Sequence, residues 1–444
     1  MCSIGEDDFG DEGGLHAIPI PESDIAAIDV SSQTICWKCG QTNSVYKLKN
    51  RQAECEQCFL AYVRHKFRAT LGVSKVILRN ATVLLIFDGS AESLVLLDML
   101  QHALTLNMHK RLHCNVIVLH IDDYQLQHTK PNSQLEHIEY LLAIKNILAR
   151  YSFFKCHLVP INYKEPLEMF SFENINAFVN NITEHESELL KRIQAINTLT
   201  KRQDYLKRRR NHVIAKVASH LKCKYAFVPE YSKELAAELL TAVALGRGGS
   251  VALDVALIDD RLIEGVKLVR PLKELNAEEV ELYIKAQKLE PLPISRYGKA
   301  EGCRASLPNL IEAFVHKLQS NYPSTISTIS RVGEKLAPNR DKSFEKKLND
   351  LHLNNVNSSR DYTQVNTCRF CNSPLDTANS TILLMTEYSR LVSKTGTIVS
   401  EINDFGIKAQ EEAIADENEL LRQLCFACRK IQNSCSSDEL LLNT

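Results

Sequence analysis

Eight cysteines fall into four C-x-x-C pairs, and their thiols are the side chains of this sequence best suited to hold a metal. The two-residue spacing lets one turn present two sulfurs to a tetrahedral ion. Fifteen residues separate the first two pairs, as in a four-thiolate zinc knuckle, whereas 53 residues separate the last two. We predict a zinc site at each end. Chance spacing or redox cysteines are the alternative for the first, and iron–sulfur ligation or packed free thiols are alternatives for the second. The predicted ligands are Cys36, Cys39, Cys55, Cys58, Cys368, Cys371, Cys425 and Cys428.

A second group of candidates lies in the turn of the stretch 83–97, VLLIFDGSAESLVLL, which reads as a buried strand, a tight turn and a helix. Free N–H groups at a helix N-terminus favour an anion such as phosphate, and Ser90 can be the N-cap. The carboxylate of Asp88 would repel that phosphate. An ordinary strand–turn–helix is therefore an equal alternative. The nucleotide-loop candidates are Asp88, Gly89, Ser90, Glu92 and Ser93.

Cations are concentrated at three places that are candidates for contact with a nucleic-acid backbone. One is the segment after the first knuckle, and another is the run 201–210, where six cations accompany one acid. The third is the arginine of the glycine-dense turn 245–250. Solvated helix faces explain the first two equally well, and a loop after a helix C-cap glycine explains the third. The candidates are Arg64, Lys66, Arg68, Lys207, Arg208, Arg209, Arg210 and Arg247.

Composition limits the class of protein. The chain has 444 residues and a formal net charge of −1, so nothing in its global charge calls for nucleic acid or membrane. It has no run of 18 apolar residues, and we expect no membrane span. Eight acids and no Lys or Arg precede Lys38, which argues against a signal peptide or mitochondrial presequence. The paired cysteines then indicate metal in a reducing compartment, and the cytosol is the expected location.

Strand and helix patterns alternate between residues 76 and 290, which predicts βαβ units and a mostly parallel sheet. Ligands of such sheets bind beyond the carboxyl ends of the strands, where Asp88, Asp122, Asp123 and Glu230 could converge. Acids are also common there as caps and turn residues. The predicted strands are 82–87, 115–121, 156–161, 224–228 and 262–268, and the predicted helices are 90–106, 133–150, 202–221, 232–245 and 276–288.

The predicted organisation has an α/β domain at its centre, between two small cysteine-rich modules. A disordered acidic tail, 1–34, precedes a zinc knuckle and basic helix, 35–72. The α/β domain covers 73–320, with an insert at about 162–200. A Ser-, Asn- and Lys-rich linker, 321–367, leads to the C-terminal cysteine-rich module, 368–432, and the tail 433–444.

Several of these motifs in their order resemble the cytoplasmic tRNA 2-thiolation protein 2 family. The turn at 88–93 is similar to the S-G-G-x-D-S loop of PP-loop ATP pyrophosphatases. The most specific parts are KRRRNHVIAKV at 207–217 and AVALGRGGSVALDV at 242–255, followed by Arg270-Pro271-Leu272. The resemblance covers roughly residues 36–430 and implies a PP-loop, Rossmann-like fold. It also implies a role in converting the wobble uridine of certain cytosolic tRNAs to its 2-thio form.

The resemblance further implies what active relatives do and what this chain lacks. In them ATP adenylates the uridine carbonyl oxygen, and sulfur from a thiocarboxylated ubiquitin-like protein displaces AMP. Their sulfur-handling cysteines are missing here, because 203–206 read QDYL and 292–295 read LPIS. The G-H-N-x-x-D-D element also looks lost at 228–232. We therefore expect weak or lost ATP binding and a non-catalytic or accessory subunit that binds tRNA and pairs with a catalytic PP-loop partner.

Two other functions remain open from the sequence. The chain itself could adenylate tRNA as a sulfurtransferase, with Asp88, Glu92 and Ser93 in the active site. It could instead be a zinc-stapled nucleotide-binding adaptor unrelated to RNA. Release of pyrophosphate by the isolated chain would favour the first of these, and absence of tRNA from the native complex would favour the second.

Overall fold

The computed structural model describes residues 35–41, 45–48, 51–73, 77–107, 111–127, 134–162, 167–294, 296–336, 367–373, 375 and 423–434. The predicted tail 1–34, residues 337–366 of the predicted linker and the end of the chain from 435 lie outside them. The chain divides into two compact units, residues 1–59 and 60–444. No helix in the described part of the chain is both long and apolar enough to cross a membrane.

The first unit is built on a short antiparallel hairpin. Strands β1 (Val45–Tyr46) and β2 (Glu54–Cys55) pair with Val45 opposite Cys55. Helix α1 (Glu56–Val73) starts immediately after β2, so that Cys58 lies in its first turn. The rings of Tyr46 and Phe59 stack with their centroids 5.4 Å apart. The hairpin and the helix start thus bring both C-x-x-C pairs of the N-terminal half into one small fold.

The second unit is organised around a six-stranded sheet with the order β5-β4-β3-β6-β8-β7. All neighbouring strands are parallel except the edge pair β7–β8. The central strand β3 is an unbroken apolar run whose residues Val83 to Ile86 are buried, as expected for a parallel strand covered on both faces. The strands are β3 (Ala81–Ile86), β4 (Cys114–Asp122), β5 (Lys155–Pro160), β6 (Tyr225–Phe227), β7 (Ile258–Asp259) and β8 (Lys267–Val269).

Helices connect these strands in the predicted alternation, which confirms the mostly parallel α/β class. The connections between parallel strands carry α2 (Ala91–Thr105), α3 (Tyr124–Gln127), α4 (Gln134–Ala149), α5 (Ile175–Ala195), α6 (Leu199–His220), α7 (Ser232–Ala244) and α8 (Val251–Val255). The remaining helices of the described residues are α9 (Ala277–Gln287), α10 (Leu307–Asn321), α11 (Thr325–Leu336) and α12 (Phe426–Gln432). Single 3₁₀ turns occupy Phe172–Asn174, Gly248–Ser250 and Ile263–Gly265.

Two predicted boundaries are wrong. The strand expected at 262–268 begins only at Lys267, because Glu264 adopts a left-handed conformation (φ 63°) in the 3₁₀ turn before it. Thr325–Leu336 of the expected linker instead form helix α11, and Ile326 of α11 is buried against Ala236 of α7 and Val315 of α10. The helical spacing of its apolar residues therefore determines the secondary structure of this segment, in spite of its polar composition.

The C-terminal module shares its core with the α/β domain. Val213, Ile214 and Val217 of α6 belong to the same buried cluster as Leu84 of β3 and Cys368. The rings of Tyr205 and Phe370 stack with centroids 5.6 Å apart and an interplanar angle of 9°. Helix α6 is consequently the element through which the C-terminal cysteines pack onto the sheet.

Candidate functional site

The four N-terminal cysteines come together in the first unit. All four sulfurs lie within 4.8 Å of one another, and those of Cys39 and Cys55 are 3.7 Å apart. The turn closes because the N–H of Gly40, at φ +71°, donates to the carbonyl of Cys36. A zinc–sulfur bond of about 2.3 Å gives a tetrahedral edge of about 3.8 Å. This group therefore fits one tetrahedral ion.

The C-terminal cysteines form a second group of the same kind, despite the 53 residues between their pairs. Their sulfurs also lie within 4.8 Å of one another, with Cys371 and Cys425 3.6 Å apart. The first pair sits in a turn in which the N–H of Asn372 donates to the carbonyl of Cys368 at 2.8 Å. The second pair starts helix α12, with Cys425 as N-cap and Cys428 in the first turn. The predicted grouping of the wide-spaced pairs is confirmed.

The spacing of the sulfurs bears on which metal centre fits. In a four-iron cluster each thiolate binds a different iron, so the four sulfurs must lie farther apart than the ligands of one ion. Both groups here keep all sulfurs within 4.8 Å. Each group therefore fits a single ion with four protein ligands and no open position, which is the arrangement of a structural site.

Hydrogen bonds between the thiols separate their pKa values. The interaction with Cys368 lowers the pKa of Cys371 and raises the pKa values of Cys425 and Cys428. In the first group, a backbone hydrogen bond at Cys55 lowers the pKa of Cys36 to about 6. A bound dication would displace the protons that these thiols hold.

The nucleotide-loop candidates lie where expected, between β3 and α2. Ser90 is the N-cap of α2, and its Oγ accepts a hydrogen bond from the N–H of Ser93 at 3.3 Å. The N–H of Ser90 donates to Oδ1 of Asp88 at 3.0 Å. The Oγ of Ser93 donates to the carbonyl of Ser90. Two of the amides that could meet a phosphate are therefore already paired with side chains of the loop itself.

Apolar side chains cover the same turn. Gly89 adopts φ +86°, and a Cβ at this position would lie 2.6 Å from Cδ1 of Ile144. It would also lie 3.1 Å from Cδ1 of Leu292 and 3.2 Å from Cδ1 of Ile294. The N–H of Leu292 donates to the carbonyl of Gly89 at 2.9 Å, which ties this segment to the loop. The absence of a side chain at Gly89 lets other atoms approach the backbone closely, and here side chains of the same protein make that approach.

The acids at the strand ends converge, as predicted, and two of them, Asp88 and Asp123, face arginines. Burial alone would raise the pKa of Asp88, but Arg210 and Arg296 outweigh it and lower that pKa. Arg210 also lies 3.5 Å from Asp123, whose pKa burial nevertheless raises. These internal ion pairs occupy the edge of the sheet at which a ligand of this fold class would bind.

The fourth acid of that edge and its histidine neighbour are also paired. Glu230 contacts Nε of Arg270 at 2.5 Å. Burial would raise the pKa of Glu230, but the charge of Arg270 leaves it lowered. Asp122 and His137, both buried, are 2.9 Å apart. The carboxylates at this edge thus serve as partners of arginines and of a histidine.

Three of the predicted tRNA contacts have buried side chains. Arg208, Arg209 and Arg247 are only 5%, 6% and 4% exposed. Arg208 contacts Asp254 at 3.1 Å, and Arg209 donates to the carbonyl of Ile161 at 3.3 Å. The charges of the basic run predict a solvent-exposed helix face, but one face of α6 is buried. Its arginines carry charge into the core, where acids and carbonyls meet them.

The other predicted cations are partly exposed and lie near acids or polar groups. Lys207 contacts Glu238 at 2.6 Å, and Lys66 contacts Glu279 at 2.9 Å. Arg64 donates to the side chain of Gln287 at 2.8 Å and lies 3.9 Å from Asp98, and Arg68 donates to the carbonyl of Arg64. Their role toward RNA stays a prediction, as does that of Arg210.

A buried network of charges around the C-terminal cysteines was not predicted. Asp204 accepts from Arg247 and lies 3.5 Å from Arg208. Arg261 contacts Asp254 at 2.7 Å and donates to Ser373 Oγ at 3.0 Å. The only signal in the sequence is the i, i+4 spacing of Asp204 and Arg208 on one helix. Asp254 and Arg261 come from other elements, which only the tertiary fold brings to this helix.

Comparison with known proteins gives matches to one named family. A family model described as cytoplasmic tRNA 2-thiolation protein 2 matches residues 306–430. A protein of that name from Drosophila simulans is 43% identical over 448 residues, covering 99% of this chain and 100% of the relative. Its namesake from Drosophila pseudoobscura pseudoobscura is 44% identical over 443 residues, again covering 99% and 100%.

Among solved structures, the U34-tRNA thiolase NcsA from Methanococcus maripaludis, determined with its [4Fe-4S] cluster, matches with a TM-score of 0.48 and 18% identity. The match covers 68% of this chain and 88% of that one. The family resemblance noted in the sequence is supported by the two Drosophila relatives. Their sequence identity with this chain extends over almost the whole length of both proteins. On that identity, the chain belongs to the cytoplasmic tRNA 2-thiolation protein 2 family.

Proposed function

We propose that this chain is an accessory subunit in the 2-thiolation of the wobble uridine of cytosolic tRNAs. Its family membership supports the role in tRNA thiolation, and its relatives are named as cytoplasmic proteins. The state of the loop at Asp88 to Ser93 supports the accessory part of the proposal. In this role the chain binds tRNA and pairs with a catalytic PP-loop partner, which takes sulfur from a thiocarboxylated ubiquitin-like carrier.

The observation that carries the accessory role is the pairing inside the loop. The Asp88 carboxylate accepts a hydrogen bond from the N–H of Ser90, and Leu292 and Ile294 lie against Gly89. An ATP phosphate entering here would meet a negative charge and would have to displace apolar side chains. Adenylation of uridine needs that phosphate chain in place, so the partner subunit performs it.

Partly exposed cations beside the C-terminal module support tRNA binding better than the buried arginines do. Partial burial and the charge of Lys430 both lower the pKa of Lys201, and Lys430 is exposed on helix α12. Arg369, in the turn of the first C-terminal cysteine pair, is exposed. A group of neighbouring cations attracts the negatively charged phosphate backbone. We assign the tRNA contact to this group, together with Lys207 and Arg210 on the same helix as Lys201.

The two cysteine groups would each hold one zinc ion with a structural role. Cys36, Cys39, Cys55 and Cys58 would fold the first unit around one ion. Cys368, Cys371, Cys425 and Cys428 would hold the other. Zinc with four thiolates has no position for a substrate, so it supplies folding energy and no reaction step.

The test compares the isolated chain with the natively co-purified complex. We expect no saturable binding of radiolabelled ATP by the isolated chain and no pyrophosphate release with tRNA, whereas the complex does both. The complex should also contain tRNA and a second PP-loop protein, identified by sequencing and mass spectrometry. Thiouridine formation by the isolated chain, given ATP and a sulfur source, would refute the accessory role. Absence of tRNA from the complex would refute the thiolation role.

A further inference from the structure

The arginine of the L-G-R-G turn points into the C-terminal cysteine group. Nη1 of Arg247 lies 3.6 Å from Sγ of Cys371 and 3.7 Å from Sγ of Cys425. Nη2 lies 3.5 Å from Sγ of Cys428. One guanidinium thus donates to three of the four sulfurs, which come from both C-x-x-C pairs.

Both the backbone and the side chain of Arg247 are fixed. Its N–H donates to the carbonyl of Ala242 at 2.8 Å, and its carbonyl accepts from the N–H of Ser250 at 3.0 Å. On the side-chain side, Oδ2 of Asp204 accepts from Nε at 3.2 Å and from Nη2 at 2.6 Å. Asp204 belongs to helix α6. The guanidinium therefore joins the helix to the cysteine group.

The charge of a loaded site explains why an arginine stands here. Four thiolates around one dication carry a net charge of −2, and Cys368 and Cys428 are 0% exposed. Burying such charge is unfavourable unless donors and an opposite charge meet it. The planar guanidinium supplies several N–H donors in a fixed fork, which lysine cannot reproduce. Groups that orient metal ligands in this way commonly set the affinity of a site.

We propose that Arg247, held by Asp204, is the positioning residue of the C-terminal metal site. It holds the thiolates of the two separated C-x-x-C pairs in ligand geometry and offsets part of their charge. It also connects the loaded site to α6, so that metal occupancy there stabilises the docking of the C-terminal module on the α/β domain. This inference concerns the metal site and stands independently of the thiolation role.

The test measures Zn²⁺ retention by the full-length chain in a background with Cys36→Ser and Cys39→Ser, so that only the C-terminal group binds. Competition with a chromophoric chelator gives the affinity. Arg247→Met should weaken retention by about 10- to 100-fold, the usual range for loss of a group that orients metal ligands. Arg247→Lys should restore part of it, because the charge remains and the fork is lost. Asp204→Asn should fall between the parent and Arg247→Met.

The matched control is Arg208→Lys. Arg208 is as buried as Arg247 and also lies beside Asp204, but its contacts are with the carboxylates of Asp204 and Asp254. Its substitution should lower the melting temperature without a comparable loss of metal. Co²⁺ loaded into the same chains gives a second readout, since the thiolate–cobalt absorption bands should shift in Arg247→Lys and stay in place in Arg208→Lys.

Parental Zn²⁺ affinity in a folded Arg247→Met chain would overturn the proposal. Folding is checked by circular dichroism and by the melting curve. Should Arg247→Met fail to fold, the comparison of the two lysine variants decides. Equal Zn²⁺ affinity and equal Co²⁺ spectra in Arg247→Lys and Arg208→Lys would then overturn it.

Discussion

The backbone N–H of Ser90 donates a hydrogen bond to Oδ1 of Asp88 at 3.0 Å, so the loop at the start of α2 carries its own anion. Helix N-termini bind anions because their first N–H groups are free and the helix dipole favours negative charge. Here the Asp88 carboxylate supplies both the hydrogen-bond acceptor for an N–H group and the negative charge that the dipole favours. The first residue of the turn thereby changes a potential phosphate site into an internal cap.

This internal cap predicts a pH-dependent effect of Asp88→Asn. Arg210 and Arg296 lower the pKa of Asp88 below its ordinary value of 3.8 in spite of its burial. A lowered carboxyl pKa contributes stability above about pH 4, and that contribution is lost as the pH falls through the folded-state value. Asp88→Asn should therefore cost about 1.5 to 3 kcal/mol at pH 7, the range for hydrogen bonds to charged groups.

Denaturant unfolding of the parent and of Asp88→Asn at pH 7 and at pH 3 measures this effect. The difference in unfolding free energy should shrink at the lower pH, because below about pH 4 the unfolded chain takes up a proton that the folded carboxylate resists. An equal difference at both pH values would show that the charge of Asp88 does not stabilise the loop.

The turn itself predicts that Gly89→Ala is destabilising. Alanine at φ +86° is strained, and its Cβ would lie 2.6 Å from Cδ1 of Ile144. The expected cost is about 1 to 3 kcal/mol from the backbone alone. Gly248→Ala is the matched control, since its Cβ would meet no atom within 4 Å. Thermal melting of both variants checks the prediction, and equal melting temperatures would contradict it.

The partly exposed cations predict a change in the salt dependence of tRNA binding. Replacing Lys201 and Lys430 by glutamine should reduce the slope of log affinity against log salt concentration, by about one per lost phosphate contact. The control is Lys317→Gln on the exposed face of α10. Filter binding of the complex to tRNA at several salt concentrations gives the slope. A parental slope in the double variant would remove these two lysines from the tRNA surface.

The two cysteine groups predict the metal content of the purified chain. The parent should hold two zinc ions, whereas Cys55→Ser and Cys428→Ser should each hold one, since a missing thiolate leaves a site with only three protein ligands. Cys223→Ser should keep both ions, because its thiol lies outside both groups and donates to the carbonyl of Leu221. Elemental analysis measures the ratio. Iron in place of zinc, or an unchanged ratio in Cys428→Ser, would contradict the prediction.

Local patterns in the sequence determined the elements and the metal ligands. Most strands and helices begin and end within a few residues of their predicted limits, because apolar periodicity and capping residues such as Ser90 act over short distances. Cysteine spacing determined each C-x-x-C pair for the same reason, because the two intervening residues fix the geometry of the pair.

Tertiary structure decided which charges face solvent. A run such as Lys207 to Arg210 carries no information in its own residue types about which face of α6 turns inward. Arg208 became a core residue because Asp254 approaches it from another helix, 46 residues along the chain. Arg247 met three sulfurs that lie between 124 and 181 residues away. Long-range packing sets such contacts, and that packing follows from the whole sheet and its helices.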